Sequence, residues 1–112
     1  MNKVYAMGVL SSQIKDGNKP VIKEQRLWNL YANFEDAESC VLENRGDIFE
    51  HTYNLALIEE VCIINHSVQN NYENLYKQWW YEAKFIGSDN DPMITKISKP
   101  KLLENIVNFW VG

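Results

Sequence analysis

Only a few residues of this chain could carry chemistry. No Gly-x-Ser-x-Gly elbow, Gly-rich phosphate loop or His/Cys/Asp grouping at a recognised ligand spacing occurs. His51 sits beside Glu50 in a connection and His66 follows a strand-like run, so both read as ordinary loop histidines. Glu59 and Glu60 are adjacent carboxylates within that run. Neighbours in a regular strand point to opposite faces, so the two cannot share a proton as a general acid/base pair. Cys40 and Cys62 lack the C-x-x-C spacing of metal or redox sites and read as small buried apolar residues. No catalytic residue, cofactor or metal site is expected.

Binding chemistry is better represented. Arg26 and Trp28 are two apart in a strand-like run, which places a guanidinium fork beside an indole plate. Such a pair can hold a phosphate and stack a base, although a surface Arg beside a core Trp has the same pattern. A second group is Trp79-Trp80-Tyr81. Alternation puts Trp79, Tyr81, Ala83 and Phe85 on one apolar face and leaves Trp80 with Gln78, Glu82 and Lys84. An indole among polar neighbours needs covering, by a ligand, by a subunit or by residues 67–76 of the same chain. Lys77 or Lys84 of the same segment could donate to an anion as well.

These residues have to be positioned by a small number of elements. The chain has 112 residues, 46% hydrophobic and 23% charged, which suits one small globular domain spanning 1–112. Its net charge of -4, with Arg26 and Arg45 as the only arginines, argues against binding polymeric nucleic acid by phosphate neutralisation. Apolar runs such as 61–64 are far shorter than the roughly 20 residues of a membrane span, and no signal peptide pattern follows Met1. A cytoplasmic protein without a membrane partner is expected.

Residues 3–10 are apolar on both alternating sets and suit a central strand. Asp16-Gly17-Asn18 is a turn signal before a second strand over 21–31, on which Ile22, Glu24, Arg26, Trp28 and Leu30 would share one face. Asn33 is a candidate N-cap, with Phe34, Ala37, Cys40, Val41 and Asn44 at helical spacing and Gly46 as the stop. Residues 54–64 form the most strand-like segment. Residues 67–76 place Val68, Tyr72, Leu75 and Tyr76 at helical spacing and predict a helical turn or a long loop. Residues 77–86 and 93–97 flank a Gly/Ser/Asp/Asn/Pro tip and predict a second hairpin. Pro100 then introduces a final helix whose stripe includes Leu102, Leu103, Ile106, Val107 and Trp110. The expected fold is α+β: a mainly antiparallel sheet of about five strands, with two or three short helices in one layer.

One resemblance adds to this. Arg26-Leu-Trp28, Asn33-Phe34-Glu-Asp-Ala37, Val41-Leu-Glu-Asn44-Arg-Gly-Asp47-Ile48-Phe-Glu50, Tyr53-Asn-Leu-Ala56-Leu-Ile58-Glu59-Glu60 and the closing Asn108-Phe109-Trp-Val-Gly112 follow in order. The set, covering the middle third and the C-terminus, resembles a family of small proteins carried by phages and low-GC bacteria. It is similar in size and architecture to Thoeris anti-defence sponges, which sequester cyclic ADP-ribose-type and cyclic oligonucleotide signals. The resemblance implies a homo-oligomer that holds a small cyclic nucleotide between subunits without turnover. Arg26 and Trp28 carry over at the matching motif positions, with Asn44 and Asp47 as turn residues. Asn29 stands where a small residue is expected, Tyr31 replaces a Phe, and 67–76 is an insertion relative to the pattern. The candidate ligand-binding set is therefore Arg26, Trp28, Asn44, Asp47, Lys77, Trp80 and Lys84. The competing reading is a protein-binding inhibitor or adaptor that uses Trp80 and its neighbours as an exposed aromatic hot spot.

Overall fold

The computed structural model describes residues 2–14, 20–49, 53–64, 67–69, 77–85 and 92–98. The elements are β1 (Asn2–Ile14), β2 (Pro20–Tyr31), α1 (Phe34–Leu42), β3 (Leu55–Ile64), β4 (Ser67–Gln69), β5 (Gln78–Phe85) and β6 (Pro92–Ile97). The strands form one antiparallel sheet in the order β2-β1-β3-β5-β6, with β4 paired to the Cys62–Ile64 end of β3. Both expected hairpins are present. Over 67–69 the helical reading is replaced by β4, because those backbone groups pair with the end of β3. The turn at 16–18, His51, His66, residues 70–76, the 86–91 tip and the final helix with Trp110 lie outside the described residues. Among the described residues there is one helix, and none is long and apolar enough to cross a membrane.

α1 covers one sheet face. Its buried residues Ala37, Cys40 and Val41 meet Met7 and Val9 of β1, Ala56 and Ile58 of β3, and Tyr81 and Ala83 of β5, with Ile48, Phe49 and Tyr53 filling the space after the helix. The opposite face buries Leu10, Leu55, Leu57 and Trp80, with Ile97 against them. A sheet buried on both sides of its centre accounts for the two-sided apolar pattern of β1 and β3. Asn33 caps α1, its side-chain oxygen accepting from Asp36 N at 2.8 Å.

α1 ends at Leu42 with Glu43 as its C-cap, and the left-handed stop is Asn44 and not, as expected, Gly46. Asn44 N donates to Val41 O and Arg45 N to Cys40 O, the bond pair of a Schellman stop, with Asn44 at φ 49. Asn tolerates this left-handed position better than most residues because its short amide bonds locally. Gly46 at φ 70 and Asp47 at φ 55 continue the turn.

β2 departs from regular alternation. Met7 pairs with Asn29 and Gly8 with Leu27, so Trp28 is an extra residue; a second shift lies between Ser11 and Ser12. Directly opposed residues share a face, so Arg26 opposite Val9 lies on the helix side, as do Asn29 opposite Met7 and Tyr31 opposite Tyr5. Leu27 and Leu30 fall on the other side, 38% and 45% exposed. Of the face expected for Glu24, Arg26, Trp28 and Leu30, Arg26 and Trp28 stay together on the helix side and Leu30 leaves it, because the one-residue bulge at Trp28 inverts everything beyond it.

Asn54 closes the far end of the sheet. Its amide oxygen accepts from Ser12 N at 2.9 Å, its amide nitrogen donates to Ser12 Oγ at 3.2 Å, and its backbone links Leu10 O to Ala83 N.

Candidate functional site

Two clusters of chemistry-bearing side chains stand on the helix side of the sheet. The first gathers four of the seven sequence candidates where β2 passes the turn after α1. The Arg26 guanidinium lies 5.3 Å from the Trp28 ring centroid. Trp28 packs against the core cluster on its helix side, and its Cζ2 lies 3.6 Å from where a side chain on Gly46 would begin. Trp28 is the extra residue of the β2 bulge and lies on the same side of the sheet as Arg26.

The turn is held by its own residues. Asn44 Nδ2 donates to Asp47 Oδ1 at 3.3 Å, and Phe49 N donates to Asn44 Oδ1 at 3.4 Å. Asn44 and Asp47 are thus occupied in shaping the turn beneath the indole, while Arg26 remains at the surface. Nearby, burial and a hydrogen bond with Cys40 push the Tyr31 phenol up to about 12.

The charge environment separates Arg26 from most other cations. Lys3 pairs with Glu60 at 3.6 Å, Arg45 with Glu43 at 2.9 Å, Lys84 with Glu82 at 3.7 Å and Lys96 with Glu38 at 3.1 Å. Among the described residues, no carboxylate pairs with Arg26 or Lys77. These two do not converge. β2 and β5 are three strand steps apart, about 14 Å at the usual spacing, and Lys77 also precedes the end of β5 remote from Arg26's level. Lys84, on the face of Trp80, is also remote from this corner.

Trp80 overturns an expectation. It is 2% exposed and packs with Leu10, Leu55 and Leu57, while its Nε1 donates to Gln78 Oε1 at 3.3 Å. Its polar sequence neighbours had left it in need of cover, by a ligand, a subunit or residues 67–76. In the sheet Trp80 stands opposite Leu57 on one side and Ile97 on the other. Trp80 is a core residue and is removed both from the ligand set and from any exposed hot spot. Glu59 and Glu60 do point to opposite faces, opposite Ala6 and Tyr5 respectively, and both are buried.

The second cluster was not anticipated. Tyr81 Oη donates to Glu38 Oε2 at 2.6 Å, and Lys96 Nζ donates to the same oxygen at 3.1 Å. The Tyr81 bond holds the Glu38 carboxyl below its ordinary range against the opposing effect of burial, with Lys96 assisting. Tyr81 is pushed up, by burial first and then by Glu38. Beside them Tyr5, Phe34 and Trp79 pack at centroid distances of 4.4 to 6.2 Å, and Lys96 lies 5.4 Å above Phe34. Tyr5 Oη donates to Glu60 Oε1 at 3.3 Å. One signal was available in the sequence: Phe34 and Glu38 are four apart and so share one side of α1. Their strand partners were not readable from spacing.

Among the described residues, no three His, Cys, Asp or Glu side chains gather as a metal site. No protein-family model, curated protein or solved structure matches this chain.

Proposed function

We propose that this protein binds a small anionic aromatic ligand of the cyclic-nucleotide class and holds it without turnover, at the corner formed by Arg26 and Trp28. One observation carries the reading: Arg26 is an exposed guanidinium over an indole with no acidic partner among the described residues, whereas four other cations are ion-paired. A guanidinium left in that state offers a fork that matches phosphate, and its plane and the indole both offer stacking surface for a base. The resemblance to phage-borne nucleotide sponges supports the same class. Sequestration requires affinity and abundance, not a general base. In an acidic domain of this size a second wall from another copy of the chain completes the enclosure, so the working form is a homo-oligomer in the cytoplasm, of the host if the gene is phage-borne. Asn44 and Asp47 shape the turn under Trp28, and Lys77, Lys84 and Trp80 are not assigned to this pocket.

The test is a thermal-shift and calorimetric titration against cyclic ADP-ribose isomers and cyclic di- and trinucleotides. A bound member should be released chemically unchanged on heat denaturation, and Arg26→Ala and Trp28→Ala should each abolish the shift. No response across the panel would overturn the reading.

A second reading, a protein-binding inhibitor or adaptor, loses Trp80 as its anchor but gains the exposed Leu27 and Leu30 of β2. It predicts one stoichiometric partner recovered from host lysate and lost on Leu27→Asp/Leu30→Asp.

A further inference from the structure

Among the described residues β2 is an outer strand of the sheet, paired only with β1, and Glu24, Gln25, Arg26 and Leu27 are all exposed along it. A bare edge invites another strand unless something blunts it. Two bulges interrupt it: the pairing to β1 shifts between Met7 and Gly8 and between Ser11 and Ser12, which leaves Ser11↔Glu24 to Gly8↔Leu27 as a regular window between them. That window restricts how a further strand could add. It also holds two opposite charges, Glu24 and Arg26, neither of which has an ion-pair partner among the described residues.

We infer that two copies of the chain join through this window. The strands run antiparallel about a two-fold axis at Gln25, so that Arg26 stands beside the partner's Glu24 and Glu24 beside the partner's Arg26. The register follows from charge. Moving the axis to Glu24 or to Arg26 sets like charges face to face. Moving it midway between Gln25 and Arg26 sets Glu24 against Leu27 and leaves both charges unmatched. Only the axis at Gln25 matches both charges inside the regular window, and it does so twice, as an isologous interface must. With the axis perpendicular to the sheet, both copies of α1 remain on one side. Both Arg26–Trp28 pairs then border the seam on that side. The guanidinium has five donors, so one edge can hold the partner's carboxylate while another faces a phosphate. The dimer deepens the ligand reading by placing its site at a subunit boundary, but it does not depend on that reading.

Sedimentation equilibrium of the full chain in ligand-free buffer tests it. The wild type should be a dimer at micromolar concentration. Glu24→Arg and Arg26→Glu should each weaken dimerisation at least about tenfold, and the double exchange Glu24→Arg/Arg26→Glu should restore it, since the same contacts return with signs reversed. A monomeric wild type, single variants that remain as dimeric as the wild type, or a double variant that stays monomeric would each overturn the interface. Circular dichroism of each variant separates dissociation from unfolding. Nucleotide titration of the Glu24→Arg protein reports separately on the ligand site, so failure of one proposal does not register as failure of the other.

Discussion

The end of the sheet near Glu38 and the outer strand near Arg26 use similar residues to opposite effect. At Glu38 one carboxylate oxygen takes a phenol and an ammonium, the ammonium also lies over Phe34, and three aromatic rings pack alongside. Cation, anion and π-faces there are spent on one another and tie α1 to β5 and β6. At Arg26 a cation again lies over an aromatic ring, but no carboxylate completes the group among the described residues. A closed network marks a structural joint. The group at Arg26 stays open among the described residues, on an exposed outer strand.

The largest effect should come from neither region but from Trp80, a member of the candidate ligand set that is buried in the core. Trp80→Ala should lower unfolding stability by about 3–5 kcal/mol in urea titration, as expected for emptying a core site. A loss below about 1 kcal/mol would return Trp80 to the surface. Next, Tyr81→Phe should cost about 1–2 kcal/mol in the same assay, because Glu38 loses its shortest bond. The closed network should also titrate. Glu38 has a lowered folded-state pKa, so its contribution is present above the unfolded carboxylate's range and is lost as pH falls through the depressed folded value. Glu38→Gln should therefore flatten the acid limb of stability against pH; an unchanged limb would show that the joint does not depend on the charge. The smallest stability effect belongs to Arg26→Ala, within about 0.5 kcal/mol as for other exposed side chains, while ligand response disappears. Should that substitution destabilise as strongly as Tyr81→Phe, Arg26 would be a structural residue and the contrast would collapse.

Much of the fold was legible in local pattern. Two-sided apolar runs marked β1 and β3, the cap at Asn33 and the spacing of Ala37, Cys40 and Val41 marked α1, and the tip after residue 86 marked the β5–β6 hairpin. The site was legible only as a pair, Arg26 with Trp28. β4 was missed because three residues carry no period of their own and pair only because the end of β3 leaves backbone groups to satisfy.

By itself the sequence determined which segments extend and which coil, where α1 begins, and that Glu59 and Glu60 part to opposite faces, since these depend on neighbours a few residues away. Tertiary structure alone decided that Trp80 is core, that Trp28 is a bulge which sends Leu30 to the far side, and that Glu38 meets Tyr81 and Lys96. Those outcomes rest on which strand lies beside which, and cross-strand register brings together residues that no short-range period connects.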